Sequence, residues 1–219
     1  MRNCLVVLSG GQDSTTCLYW ALQEFTQVST VTFDYGQRHR VEVACAESIA
    51  KVAQVPWELV EVPLLRGCSP LVSDSPVRQY GSVDELPGGV EPTFVPFRND
   101  LFLTLAANVA VANEIYDLVT GVCQADYGGY PDCRQRFIDA KVLSLSLAID
   151  RDLRVHTPLM NLTKAETVRL AQELGALPVL ALTHTCYQGV CPPCGKCHAC
   201  LIRARGFAEA GVNDPLLSG

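Results

Sequence analysis

Short apolar or β-branched runs alternate with longer amphipathic stretches along most of the chain. The runs are CLVVL (4–8), VSTVTFDYG (28–36), WELVEVPLL (57–65), DLVTGV (117–122) and LRVHTPL (153–159), and each ends at a polar or glycine-bearing segment. That pattern predicts five strands. Between them the apolar spacing predicts helices over 14–24, 40–55, 100–116, 132–149 and 164–174. The last follows NLTKAETVRLAQELG: Thr163 can cap its first turn, Glu166 three residues on completes a capping box, and Gly175 is placed to end it. Strands alternating with helices predict an α/β fold, a Rossmann-like, doubly wound parallel sheet with right-handed crossovers. Ligands in such sheets bind outside the carboxyl ends of the strands.

Composition narrows this picture. A chain of 219 residues that is 48% hydrophobic and 18% charged can bury one core of medium size. The net charge of −6 argues against a broad footprint for nucleic acid. The start, MRNCLVVLSGG, meets glycines too soon for a signal peptide, and no uncharged apolar run is long enough to span a bilayer. A cytoplasmic protein is expected, with no membrane and no nucleic-acid partner. Residues 67–96 form a long stretch rich in Pro, Gly and Ser, of the length that usually serves as a lid or an excursion. The expected organisation is a nucleotide-binding domain over 1–182, followed by a cysteine-rich segment and closing helix over 183–219.

The first strand runs into LSGGQDSTTCL, residues 8–18. Small, polar residues at a strand-to-helix junction suit an anion, because a helix start presents unpaired N–H groups and the positive end of its dipole. Gly10 and Gly11 would let the backbone approach phosphate oxygens, and Ser9, Ser14 and Thr15 would add hydroxyls. Asp13 would repel a bare phosphate, so it reads as a Mg²⁺ contact or as a brace for the loop. Neither the Walker pattern nor the dinucleotide glycine fingerprint is present. A glycine turn with an ordinary helix cap fits the same spacing.

SGGQDS is similar to the SGGxDS signature of the PP-loop ATP pyrophosphatases, which cleave ATP between its α and β phosphates to adenylate a substrate. Within that superfamily the chain resembles the 7-cyano-7-deazaguanine synthase family of the queuosine pathway. The resemblance rests on LSGGQDSTTCL, VTFDYGQRHR, TFVPFRND, TGVCQADYGGYPDCR, TPLMNLTKAET and CGKCHAC, in that order and over nearly the full length. It implies an adenine nucleotide alpha hydrolase-like fold, and ATP with Mg²⁺ bound by Leu8, Ser9, Gly10, Gly11, Gln12, Asp13, Ser14, Thr15, Thr16, Cys17 and Leu18. It also implies a homodimer. One departure stands out: the family usually has glycine before the Arg-Asn pair, and this chain has Phe97.

Five of the eleven cysteines crowd into CYQGVCPPCGKCHAC. Cys194 to His198 matches the C-x-x-C-H haem pattern, and Cys191 and Cys194 match a redox C-x-x-C. An export context is missing for the first, and the position in the fold is wrong for the second. Tetrahedral Zn²⁺ wants four thiolates, and an iron–sulfur cluster is the other metal reading. Cys194, Cys197 and Cys200 at successive threes, joined by Cys186, supply four. The resemblance implies this set, with one structural zinc per subunit and Cys191 left over.

The remaining polar segments offer further candidates. Gln37 and Arg38, after the second strand, can lie near the nucleotide or a carboxylate substrate, whereas His39 reads as a surface or capping residue. Arg98, next to Asn99, sits at a helix start with the wrong sign for the dipole, which a phosphate would explain. Lys164 carries the same mismatch and is read the same way. Asp126, Tyr130 and Asp132 lie in a turn with the stacking ring and acceptors that a flat purine-like substrate needs; a glycine turn with Asp132 capping the next helix is the alternative. The resemblance implies an ATP-dependent ligase acting on 7-carboxy-7-deazaguanine and ammonia, with Lys164 and Arg98 neutralising charge. Two rival readings are a PP-loop tRNA thiolase relaying sulfur between Cys123 and Cys186, and a non-catalytic adenine-nucleotide sensor or zinc module.

Overall fold

A computed structural model describes residues 2–62, 65, 67, 69–124 and 129–217. Five strands form one parallel sheet: β1 (Asn3–Val7), β2 (Gln27–Asp34), β3 (Trp57–Glu61), β4 (Asp117–Val119) and β5 (Arg154–His156), in the order β3-β2-β1-β4-β5. β1 is central, with Cys4 opposite Val28 on one side and Leu5 opposite Leu118 on the other. The order reverses direction between β1 and β4, and a cleft opens beyond their carboxyl ends.

Among the described residues there are six α-helices: α1 (Gln12–Glu24), α2 (Val41–Val52), α3 (Arg98–Ala112) and α4 (Gln135–Ile149) pack on the sheet, and α5 (Lys164–Glu173) and α6 (His198–Ala210) pack on each other. Alternation along β1 divides the core into two layers. Cys4, Val6 and Leu8 face α1 and α2 and pack with Leu18, Ala46 and Ile49. Leu5 faces the other way and packs with Val31, Phe33, Ala106, Ala110 and Leu145. Alanines on α3 let its backbone come close to the sheet. A third cluster joins α5 to α6 through Val168, Ala171, Leu180 and Phe207. The cysteine-rich segment thus packs on the helix that follows β5.

Most elements lie where the hydrophobic pattern put them; their ends differ for local reasons. The Thr163–Glu166 capping box is formed in full. Helix α4 begins at Gln135, after a 3-10 turn over Pro131–Cys133, so Asp132 lies outside it. Helix α3 begins two residues early, at Arg98, behind Phe97 at φ 63° and ψ 5°. A bulky residue in the left-handed region is strained by about 1–2 kcal/mol, and the Phe97 ring is 75% exposed, so little packing offsets that cost. Glycine at 97 would relieve the strain, and against glycine's own entropy cost a Phe97→Gly variant is expected to be more stable by about 0.5–1 kcal/mol. A thermal melt reads this directly; an unchanged or lower midpoint would show that the ring makes contacts beyond those seen here.

The 67–96 stretch is packed rather than loose. Leu71, Val77, Tyr80 and Val95 are buried in it. Glu91, 1% exposed, accepts from the Tyr80 hydroxyl and from the backbone N–H of Thr93. No helix among the described residues is long and apolar enough to cross a membrane.

Candidate active site

A cavity of about 300 Å³ lies at the topological switch point. Its floor is the end of β1 and the start of α1: Leu8, Ser9, Gly11, Gln12, Asp13 and Ser14 all line it. The Ser14 hydroxyl holds the loop closed, accepting from the Ser9 N–H at 3.1 Å and donating to the Gly11 carbonyl at 3.2 Å. Gly11 lines the cavity, and a Cβ there would stand in ordinary contact with Ser9 Oγ at 3.5 Å and the His184 carbonyl at 3.6 Å. Gly10 is different. Its φ is +82°, and a Cβ there would stand 2.2 Å from the Glu42 carbonyl oxygen, so this glycine lets the loop pack against α2 instead of against a ligand. Thr15, Thr16, Cys17 and Leu18 do not line the cavity. Thr15 and Thr16 donate back to the Gly11 and Gln12 carbonyls, and Cys17 and Leu18 are core. Gly121, after β4, closes on the same helix start: a Cβ there would meet the Ser14 nitrogen at 3.0 Å.

Lys164 reaches this floor from the first turn of α5. Its Nζ lies 2.9 and 2.7 Å from the two carboxylate oxygens of Asp13. The lysine opposes the dipole of its own helix, and Asp13, placed favourably at the start of α1, compensates it. Asp13 thus braces Lys164, and its carboxylate also lines the cavity. Gly206 on α6 makes room for the lysine stem, since a Cβ there would fall 2.4 Å from Lys164 Cγ.

The far wall is built round Arg98. Its half-buried side chain lies near Tyr35, Tyr130 and Tyr187, and the guanidinium donates to the Tyr35 hydroxyl at 3.4 Å. Burial works against its charge, but a guanidinium stays protonated at any ordinary pH, and the phenol oxygens around it can accept its N–H groups. Burial in turn pushes the Tyr35 phenol up to about 12 and raises those of Tyr130 and Tyr187. Among the described residues no carboxylate stands at ion-pair distance from Arg98. A half-buried cation lining a cavity in this way is suited to an anion brought by a ligand. Tyr130 is further fixed by Thr93 at 2.7 Å and stacks on Phe94 at 5.5 Å.

Other candidate residues have different surroundings. Gln37 is buried beneath the loop after β2, accepting from the Tyr35 N–H and donating to Glu42. Arg38 turns away and donates to the Ser73 carbonyl. Asp132 does not line the cavity; its carboxylate accepts from the Asn99 N–H at 3.2 Å and so caps α3, not the helix that follows it. Burial raises its pKa. Asn99 lines the cavity while its amide donates to the Asp132 carbonyl and approaches the Cys133 sulfur. Asp126 lies outside the described residues. His39, expected at the surface, is 5% exposed and lines the cavity. No local signal in the sequence separates a buried His39 or Tyr187 from a surface one, because segments far along the chain cover them.

The sulfurs of Cys186, Cys194, Cys197 and Cys200 all lie within 4.8 Å of one another, and three of these residues are buried. A tetrahedral thiolate site with Zn–S near 2.3 Å places its sulfurs about 3.8 Å apart, so the set fits such an ion after slight closure. Hydrogen bonds from Cys197 and Cys200 hold the Cys186 thiol below its usual range, and the same sharing pushes Cys197 up to about 12. Crowded thiols can all ionise only beside a cation. Cys191 is exposed and outside the set. The Cys123 thiol lies at the cavity lining and donates to the Leu162 carbonyl at 3.1 Å.

Comparison with known proteins bears on the same cleft. The family model described as queuosine biosynthesis protein QueC matches residues 3–211. The chain belongs to the QueC family. The 7-cyano-7-deazaguanine synthase of Gloeobacter violaceus is 55% identical over 99% of this chain and 96% of its own. That of Bacillus subtilis is 45% identical over 95% and 94%. Among solved structures, a predicted tRNA methyltransferase subunit from Methanocaldococcus jannaschii aligns over 79% of this chain and 76% of its own, at 18% identity and a TM-score of 0.51. A 4-thiouridine synthetase, solved with RNA and ATP, aligns over 81% of this chain and 42% of its own, at 19% identity and 0.50. These two share the fold alone. Family membership makes this chain a queuosine biosynthesis enzyme and favours that reading over the thiolase and the sensor.

Proposed function

We propose that this QueC family member converts 7-carboxy-7-deazaguanine and ammonia to 7-cyano-7-deazaguanine, as a C–N bond-forming ligase driven by ATP with Mg²⁺. The full-length family match supports the reading, and the observation that carries it is a cavity with two separate cationic ends. At one end lie the start of α1 and Lys164; at the other lies Arg98 in its tyrosine cage. The first suits the phosphates of ATP and the second the carboxylate of a flat substrate, with the Tyr130 ring beside it.

A carboxylate cannot release oxide, so it must first be activated. Its oxygen attacks the α-phosphorus and pyrophosphate leaves, giving an acyl adenylate. Ammonia displaces AMP to give the amide. The amide oxygen is adenylated in turn, and loss of AMP with the N–H protons leaves the nitrile. Both activations use one phosphate site. The chain's contribution is position and charge: α1 amides and Lys164 on the phosphates, Arg98 on the carboxylate. Cys186, Cys194, Cys197 and Cys200 would hold one zinc that braces the segment and stays outside the chemistry. Homodimer formation and a cytoplasmic setting go with the same reading.

Incubation of the purified chain with Mg·ATP, ammonium and 7-carboxy-7-deazaguanine tests it, read by product mass. Nitrile with AMP and pyrophosphate is the expected outcome. Unchanged carboxylate, with the fold intact, would overturn the reading.

A further inference from the structure

The nitrogen that enters this reaction must shed protons, and the cationic groups described so far cannot accept them. Resting on the synthase reading, we propose that His39 is the proton acceptor for that nitrogen, oriented by Glu42. His39 follows β2 and lines the cavity, and only 5% of it is exposed. Its Nε2 stands 3.3 Å from Oε2 of Glu42, so the N–H side of the ring faces a carboxylate. Among the described residues, the buried Nδ1 has no hydrogen-bond partner. A proton held on Nε2 leaves the lone pair on Nδ1.

Glu42 is itself fixed. Its other oxygen accepts from Gln37 Nε2 at 3.1 Å, and Gln37 is tied to the backbone of Tyr35. This chain of contacts runs from the end of β2 to the imidazole, a base with its orienting partners. The location matches the chemistry. The Glu42 backbone packs against Gly10 of the phosphate loop, and the His39 ring lies 5.8 Å from the ring of Tyr187 in the Arg98 cage. His39 is therefore linked to both groups of residues, through Glu42 to the phosphate loop and through Tyr187 to the surroundings of Arg98. Among the described residues, the carboxylates that line the cavity are Asp13 and Glu42, and Asp13 is engaged by Lys164.

The step balances. The ammonia lone pair forms the C–N bond and the nitrogen becomes cationic. Nδ1 takes one N–H proton, the C–O bond to AMP breaks, and AMP leaves with the bonding pair. The products are amide, AMP and imidazolium, which returns its proton to solvent. The nitrogen of the second adenylate makes the same demand before the nitrile forms.

His39→Gln decides the matter in three assays. Adenylation needs no proton acceptor, so carboxylate-dependent exchange of labelled pyrophosphate into ATP is expected near the wild-type rate. Ammonia-driven turnover is expected to fall about 10²–10⁴-fold. Hydroxylamine, whose adduct is acidic enough to lose its proton to water, is expected to give hydroxamate near the wild-type rate. Full ammonia-driven turnover would overturn the proposal, and so would a parallel fall in all three assays. Glu42→Gln keeps the ring and should lower ammonia-driven turnover selectively; if His39→Gln fails to fold, unchanged turnover in Glu42→Gln would overturn the proposal. A wild-type chain with no carboxylate-dependent exchange would instead overturn the synthase reading itself, and the proposal with it.

Discussion

A Lys164→Met variant is expected to lose about 10³-fold in kcat/KM, at the upper end of what removing one charge-stabilising donor costs. Lys164 is the cation nearest the α1 start, held there by two contacts to Asp13 and by the space that Gly206 leaves for its stem. Without it the phosphate end keeps its backbone donors but loses the cation that faces the Asp13 carboxylate, whose charge repels phosphate. Steady-state kinetics with ATP varied would read the loss. Stability should also fall, by about 1–3 kcal/mol for hydrogen bonds to a charged group. Adding Asp13→Asn to the variant separates the two effects: stability should recover and activity should not. Recovery of activity as well would mean that Lys164 serves only to neutralise Asp13.

Cys197→Ser is expected to have the larger effect on folding. A four-thiolate zinc site contributes on the order of 10 kcal/mol to a folded state, while a whole domain of this size is stable by about 5–15 kcal/mol. Removing one ligand should therefore leave the variant insoluble or partly unfolded, with its bound zinc lost. Metal analysis of the wild type should find one zinc per chain, and Cys191→Ser should keep it, because Cys191 is exposed and outside the cluster. A Cys197→Ser chain that stays folded and melts like the wild type would show that the cluster holds no structural metal.

What the sequence disclosed follows from how local each determinant is. The Thr163–Glu166 cap joins residues three apart, so four letters specify it. The phosphate loop is legible only in part. Ser9 to Ser14 sit at the turn, but from Thr15 onward the helical period rotates side chains into the core or back to their own backbone. Gly10 looks like a ligand-facing glycine until α2 is placed on it. Arg98 and Lys164 were conspicuous because each opposes the dipole of its own helix. Their partners, at 35, 130 and 187 for one and at 13 for the other, come from segments that only the fold brings together. The burial of His39 is hidden for the same reason, since nothing near it in the chain shows that Tyr187 will pack beside it.

The stretch between β3 and α3 is fastened at two points, to the cysteine segment and to the cavity wall. Tyr80 donates its N–H to the carbonyl of Lys196 inside the cysteine segment, and Thr93 meets Tyr130 at the cavity wall. During synthesis the sheet up to β5 can assemble from strands already made, but this wall must wait for residues more than a hundred positions downstream. The binding cavity is therefore among the last features to mature. A nascent chain that has its phosphate loop will bind substrate only after the cysteine segment has emerged and closed.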